Sequence, residues 1–180
     1  MAPIFKCKEM IKIAITGPES SGKTTLAVKL AQHYSIPVVH EFARTYLENN
    51  SGIYKKEDLT EIAVGQNQQW LNHQNQPAII CDTEMLVIKI WSEVKFGSCD
   101  EEIKKLFNYQ EMQHYFLCKP DIPWEYDPLR ENPDNREELF LLYEHELIKN
   151  NLSYTTVSGQ LSSRINSCIE VIDDIFNKYF

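Results

Sequence analysis

Apolar residues recur along this chain in two alternating rhythms. Five short runs, Lys12–Thr16, Ile36–His40, Ala78–Cys81, Tyr115–Cys118 and Tyr154–Val157, read as strands. Between them the apolar positions fall at helical spacing. Leu26, Ala27, Leu30, Ala31 and Tyr34 mark a helix that starts near Lys23, and Leu59, Ile62, Ala63, Gln66 and Trp70 mark another within Lys55–His73. A helix from Met85 to about Phe96 carries Leu86, Ile90, Trp91 and Val94 near one face, with Trp91 assigned to the core by its burial habit. Asp100–Tyr109 is a shorter helical piece. Asn135 is read as the cap of a helix to about Lys149 with Leu139, Leu142, Tyr143 and Leu147 inward. The last helix packs Ile165, Cys168, Ile169, Ile172, Phe176 and Tyr179, a face read as carrying no chemistry. Strands separated by helices predict parallel βαβ units, an α/β sandwich with helices on both faces of one sheet.

Two stretches exceed what that alternation needs. Two helices, one opening at Glu41–Tyr46 and one within Lys55–His73, lie between the second and third strands, so residues of about 42–76 are predicted to form a flap over a substrate. The stretch Asp121–Asp134, preceded by Pro120 and containing Pro123, Pro128 and Pro133, predicts a long non-regular loop. Arg130 and Arg136 make it a predicted lid, spanning about 121–136. A lid that delivers an arginine to a γ-phosphate neutralises charge only when closed, which couples chemistry to the exclusion of water.

The candidate chemistry lies at the end of the first strand. Gly17-Pro18-Glu19-Ser20-Ser21-Gly22-Lys23-Thr24 fits the phosphate-loop pattern G-x-x-x-x-G-K-[ST], and it sits between a strand and a helix, the context the pattern requires. Gly17 and Gly22 allow the backbone to approach phosphate oxygens closely. The following helix points its positive end at them. Lys23 is placed to neutralise the β and γ phosphates and Thr24 to ligate Mg²⁺, with Glu19, Ser20, Ser21 and Thr25 completing the nucleotide set.

In a parallel sheet the ligand crevice lies at the carboxyl ends of the strands. That brings Glu41, after the second strand, and Asp82, after the third, towards the loop. Asp82 ends an apolar run and would orient Mg²⁺ directly or through water. Ser158 and Gly159, after the fifth strand, are expected at the nucleotide base. The predicted fold is therefore a three-layer P-loop NTPase fold, one domain over residues 1–180, with a five-stranded parallel sheet flanked by helices and a nucleoside- or NMP-kinase-like flap and lid.

Composition narrows the partners. At 180 residues, 43% hydrophobic and 24% charged, the chain has ordinary globular values, which excludes a disordered class. It carries no apolar run of membrane-spanning length and no secretory signal, so a cytoplasmic location without a membrane partner is expected. A net charge of −8 with no basic block excludes an affinity built on neutralising a nucleic-acid backbone. Cys7, Cys81, Cys99, Cys118 and Cys168 form no C-x-x-C pair and read as small buried hydrophobes. Of the histidines only His40, beside Glu41, comes near the expected site, and no Ser-His-Asp arrangement or metal-ligand cluster assembles.

A GTPase is excluded because no NKxD occurs and the third strand runs into Asp82-Thr83-Glu84-Met85. The features present describe a small-molecule kinase that uses ATP and Mg²⁺. Such an enzyme needs a base within reach of the attacking hydroxyl, for which Glu41 is placed by topology and Asp82 competes; Lys23 and Arg130 supply positive charge. Gly17–Thr24, Glu41-Phe42-Ala43-Arg44, Gly65-Gln66, Asp82-Thr83-Glu84 and Asp127-Pro128-Leu129-Arg130 together resemble the NadR-type ribosylnicotinamide kinase domain, a P-loop small-molecule kinase of the AAA/NTPase-like group. The resemblance covers about residues 11–178. It implies ATP-dependent phosphorylation of the 5′-hydroxyl of nicotinamide riboside in NAD salvage. The H-x-G-H motif of an adenylyltransferase is not found in the chain, so the kinase alone is implied.

A cationic pyridinium ring is stabilised by acidic side chains and aromatic faces. Glu41, Glu84, Tyr46, Trp91, Trp124 and Tyr126 form the pool for it, with Arg44 in the same segment. The alternatives are a kinase for another nucleoside or nucleotide, or an ATP-binding regulatory module without transfer activity. A nucleotide acceptor would demand more arginine than Arg44, which stands alone between Glu41 and Gln76.

Overall fold

In the computed structural model, which describes residues 10–179, five strands form one sheet: β1 (Ile11–Thr16), β2 (Val38–Val39), β3 (Ala78–Asp82), β4 (His114–Cys118) and β5 (Tyr154–Val157). They lie in the order β2-β3-β1-β4-β5, and every pair is parallel. Cys7 falls outside the described residues.

Because side chains alternate across a strand, each strand feeds two cores. Ile11, Ile13 and Ile15 of β1, Ala78 and Ile80 of β3, and Phe116 and Cys118 of β4 pack with α1 (Lys23–Tyr34) and α7 (Leu161–Tyr179). Ala14, Ile79, Cys81, Tyr115 and Leu117 point the other way. There they meet α2 (Phe42–Asn49), α3 (Lys56–Leu71), α4 (Met85–Phe96), α5 (Glu101–Tyr109) and α6 (Arg136–Lys149). Ile13, Ile15, Leu26 and Leu30 are all fully buried. Each such side chain contributes about 1.5–3 kcal/mol, so the contact of α1 with β1 fixes the turn between them.

The predicted elements are all present, and their ends shift for local reasons. The second strand, expected over Ile36–His40, pairs only at Val38–Val39. It is an edge strand with β3 as its one neighbour. Pro37 has no N–H to give, although its carbonyl accepts from Ile80 N at 3.0 Å, and Glu41 already caps α2. The third strand runs one residue further, to Asp82, in register with Ile15. The fourth starts one residue earlier, at His114, whose ring is satisfied by Ser153 Oγ at 2.8 Å and Thr155 Oγ1 at 3.0 Å.

Three residues assigned to packing faces are exposed instead, Val94, Leu142 and Tyr179. Leu142 lies beside, not in, the i, i+4, i+8 row of Leu139, Tyr143 and Leu147 that meets the core. Asn135 precedes α6 as expected, yet its side chain makes no capping bond. Among the described residues no helix is long and apolar enough to cross a membrane.

Candidate active site

Strand β1 is central in the sheet, so the turn after Thr16 emerges in the middle of its carboxyl edge. Gly17 has φ 127°, and a Cβ there would lie 2.7 Å from the carbonyl oxygen of Cys118; only glycine fits. Gly22, at φ 83°, ends the turn as the N-cap of α1. The carbonyls between them are held by side chains. Pro18 O accepts from Ser21 Oγ at 2.7 Å and Lys23 Nζ at 2.8 Å, Ser20 O from Arg136 Nη1 at 3.0 Å, and Ser21 O from Arg164 Nη1 at 2.8 Å. The first N–H groups of a helix have no intrahelical partner, and the first turn of α1 contains no acidic residue to occupy them. An anion is what this end of the helix lacks.

Facing the turn is a cavity of about 490 Å³, within the range of small-molecule sites. Its lining includes the turn residues Gly17, Glu19, Ser20, Ser21, Gly22, Lys23, Thr24 and Thr25, together with Glu41, Arg44 and Arg130. Its apolar lining comes from Leu47, Val87, Ile90, Trp91, Leu139 and Tyr143. Glu41 and Lys23 therefore share one space. Desolvation pushes the Glu41 carboxyl up, while Lys23 draws it back down.

Asp82 lies at the end of β3, 2% exposed. Its Oδ1 has no hydrogen-bond partner, and its Oδ2 is 4.0 Å from His40 Nδ1. Burial raises its proton affinity, and the Thr24 hydroxyl and Lys23 oppose the rise. A buried carboxylate with one oxygen unsatisfied, close to an exposed hydroxyl, suits a hard cation of the Mg²⁺ kind.

The connection between β4 and α6 crosses the cavity. Glu19 accepts from the backbone N–H groups of Glu131 and Asn132, both at 3.0 Å, and from Asn132 Nδ2 at 3.2 Å. Arg130 reaches Ser20 Oγ at 3.4 Å. From the other side Arg44 forms an ion pair with Asp127 and bonds Glu48 at 3.2 Å. Glu131 is held by Lys95 at 3.0 Å and Tyr54 at 2.9 Å, and Tyr54 in turn accepts from Trp91 Nε1 at 3.0 Å.

Several residues expected at the substrate or nucleotide lie elsewhere. The Tyr46 hydroxyl bonds Asp58 at 3.1 Å and Glu61 at 2.9 Å, between α2 and α3 and outside the cavity. Glu84 is fully buried. It caps α4 and accepts from Thr16 Oγ1 at 2.8 Å and Gln110 Nε2 at 3.2 Å, and burial pushes it up to about 7. It braces the end of β1 and cannot touch a ligand. Trp124 lies beside Arg130 and Arg136, 5.9 and 5.7 Å from ring centre to guanidinium, rather than in the cavity lining. Tyr126 is 86% exposed. Ser158 and Gly159 are exposed and also lie outside the cavity lining; Gly159 N–H donates to Asp121 Oδ2 at 2.6 Å.

Sequence reasoning missed the apolar lining from Leu47, Val87, Leu139 and Tyr143, and it missed Arg164. The face of α7 read as free of chemistry carries that arginine in the same buried row as Cys168 and Ile172. A charge at i, i+4, i+8 spacing with two buried residues was the available signal.

Residues 12–164 match a protein family described as AAA domain. The NadR protein of Escherichia coli K12, "Trifunctional NAD biosynthesis/regulator protein", is 26% identical over 176 residues, covering 92% of this chain and 43% of its own. The chain thus spans less than half the length of that relative. Two NadR structures, one in complex with NAD and AMP-PNP and one with NR, align over 92% of this chain. Their TM-scores are 0.74 and 0.73, at 20% and 19% identity, and the alignments cover 49% and 51% of those chains. A deoxyadenosine kinase from M. mycoides aligns with TM-score 0.63 and 14% identity over 91% of this chain and all of its own. These likenesses establish a P-loop fold of the kinase kind. With the matched span covering most of the sequence, and a glycine turn and sheet order of that type, the chain belongs to the AAA domain family of P-loop proteins.

Proposed function

We propose that this protein is an ATP-dependent kinase whose acceptor is the 5′-hydroxyl of a nucleoside, and that the nucleoside is nicotinamide riboside. The observation that carries the reading is Glu41 lining one cavity with Lys23 and feeling its charge, with the single arginine of the α2–α3 segment, Arg44, already committed to Asp127 and Glu48. An acceptor that brought its own phosphate would need a free cation on this side. A nucleoside needs a base and an apolar slot, and both are here.

In this reading the residues divide as follows. The Gly17–Thr25 turn and the N-terminus of α1 hold the triphosphate. Thr24 and Asp82 would hold Mg²⁺, which supplies charge neutralisation on the phosphate oxygens. Among the described residues no three His, Cys, Asp or Glu side chains converge on a metal position, so the cation would share its ligands with phosphate. Glu41 takes the proton of the 5′-hydroxyl as its oxygen bonds to the transferred phosphorus. Lys23 and Arg130 stabilise the charge left on the phosphate oxygens as the bond to ADP breaks. A carboxyl raised by desolvation is the stronger base for that step. The α2–α3 segment acts as flap and the β4–α6 connection as lid.

Nicotinamide riboside is supported by the NAD biosynthesis role in the relative's name and by cavity chemistry. Glu19, Glu41, Glu125 and Glu131 all border the space, and Trp91 belongs to the same lining. Acidic groups and an aromatic face favour a cationic ring.

The test is ADP release with Mg²⁺ and a panel of nucleosides and their monophosphates. Acceptor-dependent turnover should be highest with nicotinamide riboside and absent with its monophosphate. Turnover with no acceptor preference, or none at all, overturns the proposal. Lys23→Ala should abolish ATP binding, whereas Glu41→Gln should retain it and lower kcat by roughly 10²–10⁴-fold.

A further inference from the structure

Arg164 is 3% exposed, a guanidinium sealed beneath the phosphate turn. All three of its nitrogens are engaged. Nε donates to Gly159 O at 2.9 Å, Nη1 to Ser21 O at 2.8 Å, and Nη2 to Lys119 O at 3.0 Å and to Asp121 in an ion pair. The second oxygen of Asp121 accepts the Gly159 N–H. One side chain thus joins the segments that follow β1, β4 and β5, three successive strands of the sheet.

Packing does not call for a charge at this position. Cys168 and Ile172 fill the same row with apolar groups, and a buried charge is strongly destabilising unless it is fully paired. The geometry at the turn gives it a purpose. The Ser21–Gly22 peptide leads into Gly22, the N-cap of α1, and a Cβ built on Gly22 would lie 3.9 Å from Arg164 Nη1. In a trans peptide the carbonyl and the N–H point to opposite sides. Drawing Ser21 O down onto the guanidinium turns the Gly22 N–H away from it, up into the turn where phosphate oxygens belong. Lysine could not do the same, because a single ammonium lacks the planar fork needed to serve Ser21, Gly159 and Asp121 together.

We propose that Arg164, oriented by Asp121, is a positioning residue for the phosphate turn: it fixes the Ser21–Gly22 peptide and thereby sets affinity for the nucleoside triphosphate without affecting affinity for the acceptor. The inference rests on the reading of the turn as a triphosphate site. It adds a determinant outside the glycine-lysine motif, on the last helix of the fold. Arg136, the first residue of α6, acts on the neighbouring Ser20 carbonyl, so the turn is gripped from two helices, α7 and α6.

The experiment is calorimetric titration of the full chain with ATP in the presence of Mg²⁺. Wild type, Arg164→Lys and Asp121→Asn are compared, with melting temperatures and the two KM values measured alongside. Both variants should bind ATP about ten-fold more weakly, with a matching rise in KM for ATP. KM for the nucleoside should stay at its wild-type value, while the melting temperature should fall in both variants, because each leaves buried polar groups without their partner. ATP affinity equal to wild type in a folded variant overturns the inference, and so do equal rises in both KM values, which mark a general loosening. If Arg164→Lys does not fold, Asp121→Asn decides alone, since Asp121 is partly exposed. A wild-type protein that binds no ATP overturns the functional reading itself, and this inference with it.

Discussion

His114 shows how one side chain carries a pH response into the whole sheet. It sits between β4 and β5 with both ring nitrogens bonded, and burial pushes its pKa down to about 4. The folded protein therefore binds this proton less readily than the unfolded chain, whose histidine titrates near 6.5. Its own contribution to stability should be complete above that pH and be lost as pH falls towards 4, by roughly 2 kcal/mol between pH 7 and 5, while Glu84, raised to about 7, contributes in the opposite sense. Urea unfolding of wild type and His114→Gln at the two pH values measures it: the stability of wild type relative to the variant should fall by that amount from pH 7 to pH 5. A difference between the two proteins that does not change with pH would show that His114 carries no such response. At this scale the sequence is most legible where spacing encodes geometry, as at Gly17, Gly22 and Lys23. Glu84 marks the limit. A carboxylate two residues past a strand end reads the same whether it faces a ligand or turns back to cap the next helix. The choice is made by Thr83, whose φ of 82° reverses the backbone, and a threonine gives no warning of that.

Among the elements, the α2–α3 pair decides where Glu41 stands, since Glu41 is the N-cap of α2. The pair is locked by two features. Gln66 accepts from Phe42 N at 2.8 Å and donates to His40 O at 3.3 Å, while Gly65 lies directly against the Phe42 ring, where a Cβ would come within 2.3 Å. In an exposed helix, glycine to alanine stabilises by about 1 kcal/mol. Here overpacking, at about 1–3 kcal/mol, should win. Gly65→Ala is expected to lower the melting temperature and, by displacing α2, to reduce kcat more than it changes ATP affinity. A variant as stable and as active as wild type would show that α2 moves freely. Helical periodicity revealed α3 because sixteen residues give it several turns, whereas β2 was overestimated because an apolar run ends where hydrogen-bond partners run out, and partners are a tertiary fact.

The molecule as a whole is a rigid sheet with one irregular strap drawn over its working edge. Strand positions could be read from the chain, but the order β2-β3-β1-β4-β5 could not, because adjacency depends on which way each crossover turns. The same is true of the strap: its prolines announced an irregular segment, not what it would grip. Its ties include α7 through Asp121 and Arg164, the phosphate turn through Glu19, α2 through Arg44 and Asp127, and α4 through Lys95 and Glu131. The last two are ion pairs at least partly open to solvent, which contribute little and weaken with salt. Glu19 differs, because its carboxylate takes two backbone N–H groups and a side-chain amide at once, and charge-assisted bonds of that kind are about twice as strong as neutral ones. Glu19→Ala should therefore free the strap more than Arg44→Ala or Lys95→Ala does. Limited proteolysis reads this directly: cleavage within residues 121–135 should be several-fold faster in Glu19→Ala than in wild type, with the two ion-pair variants in between. If cleavage is fastest in Arg44→Ala, the strap is held chiefly from the α2 side, and the phosphate turn is not its anchor.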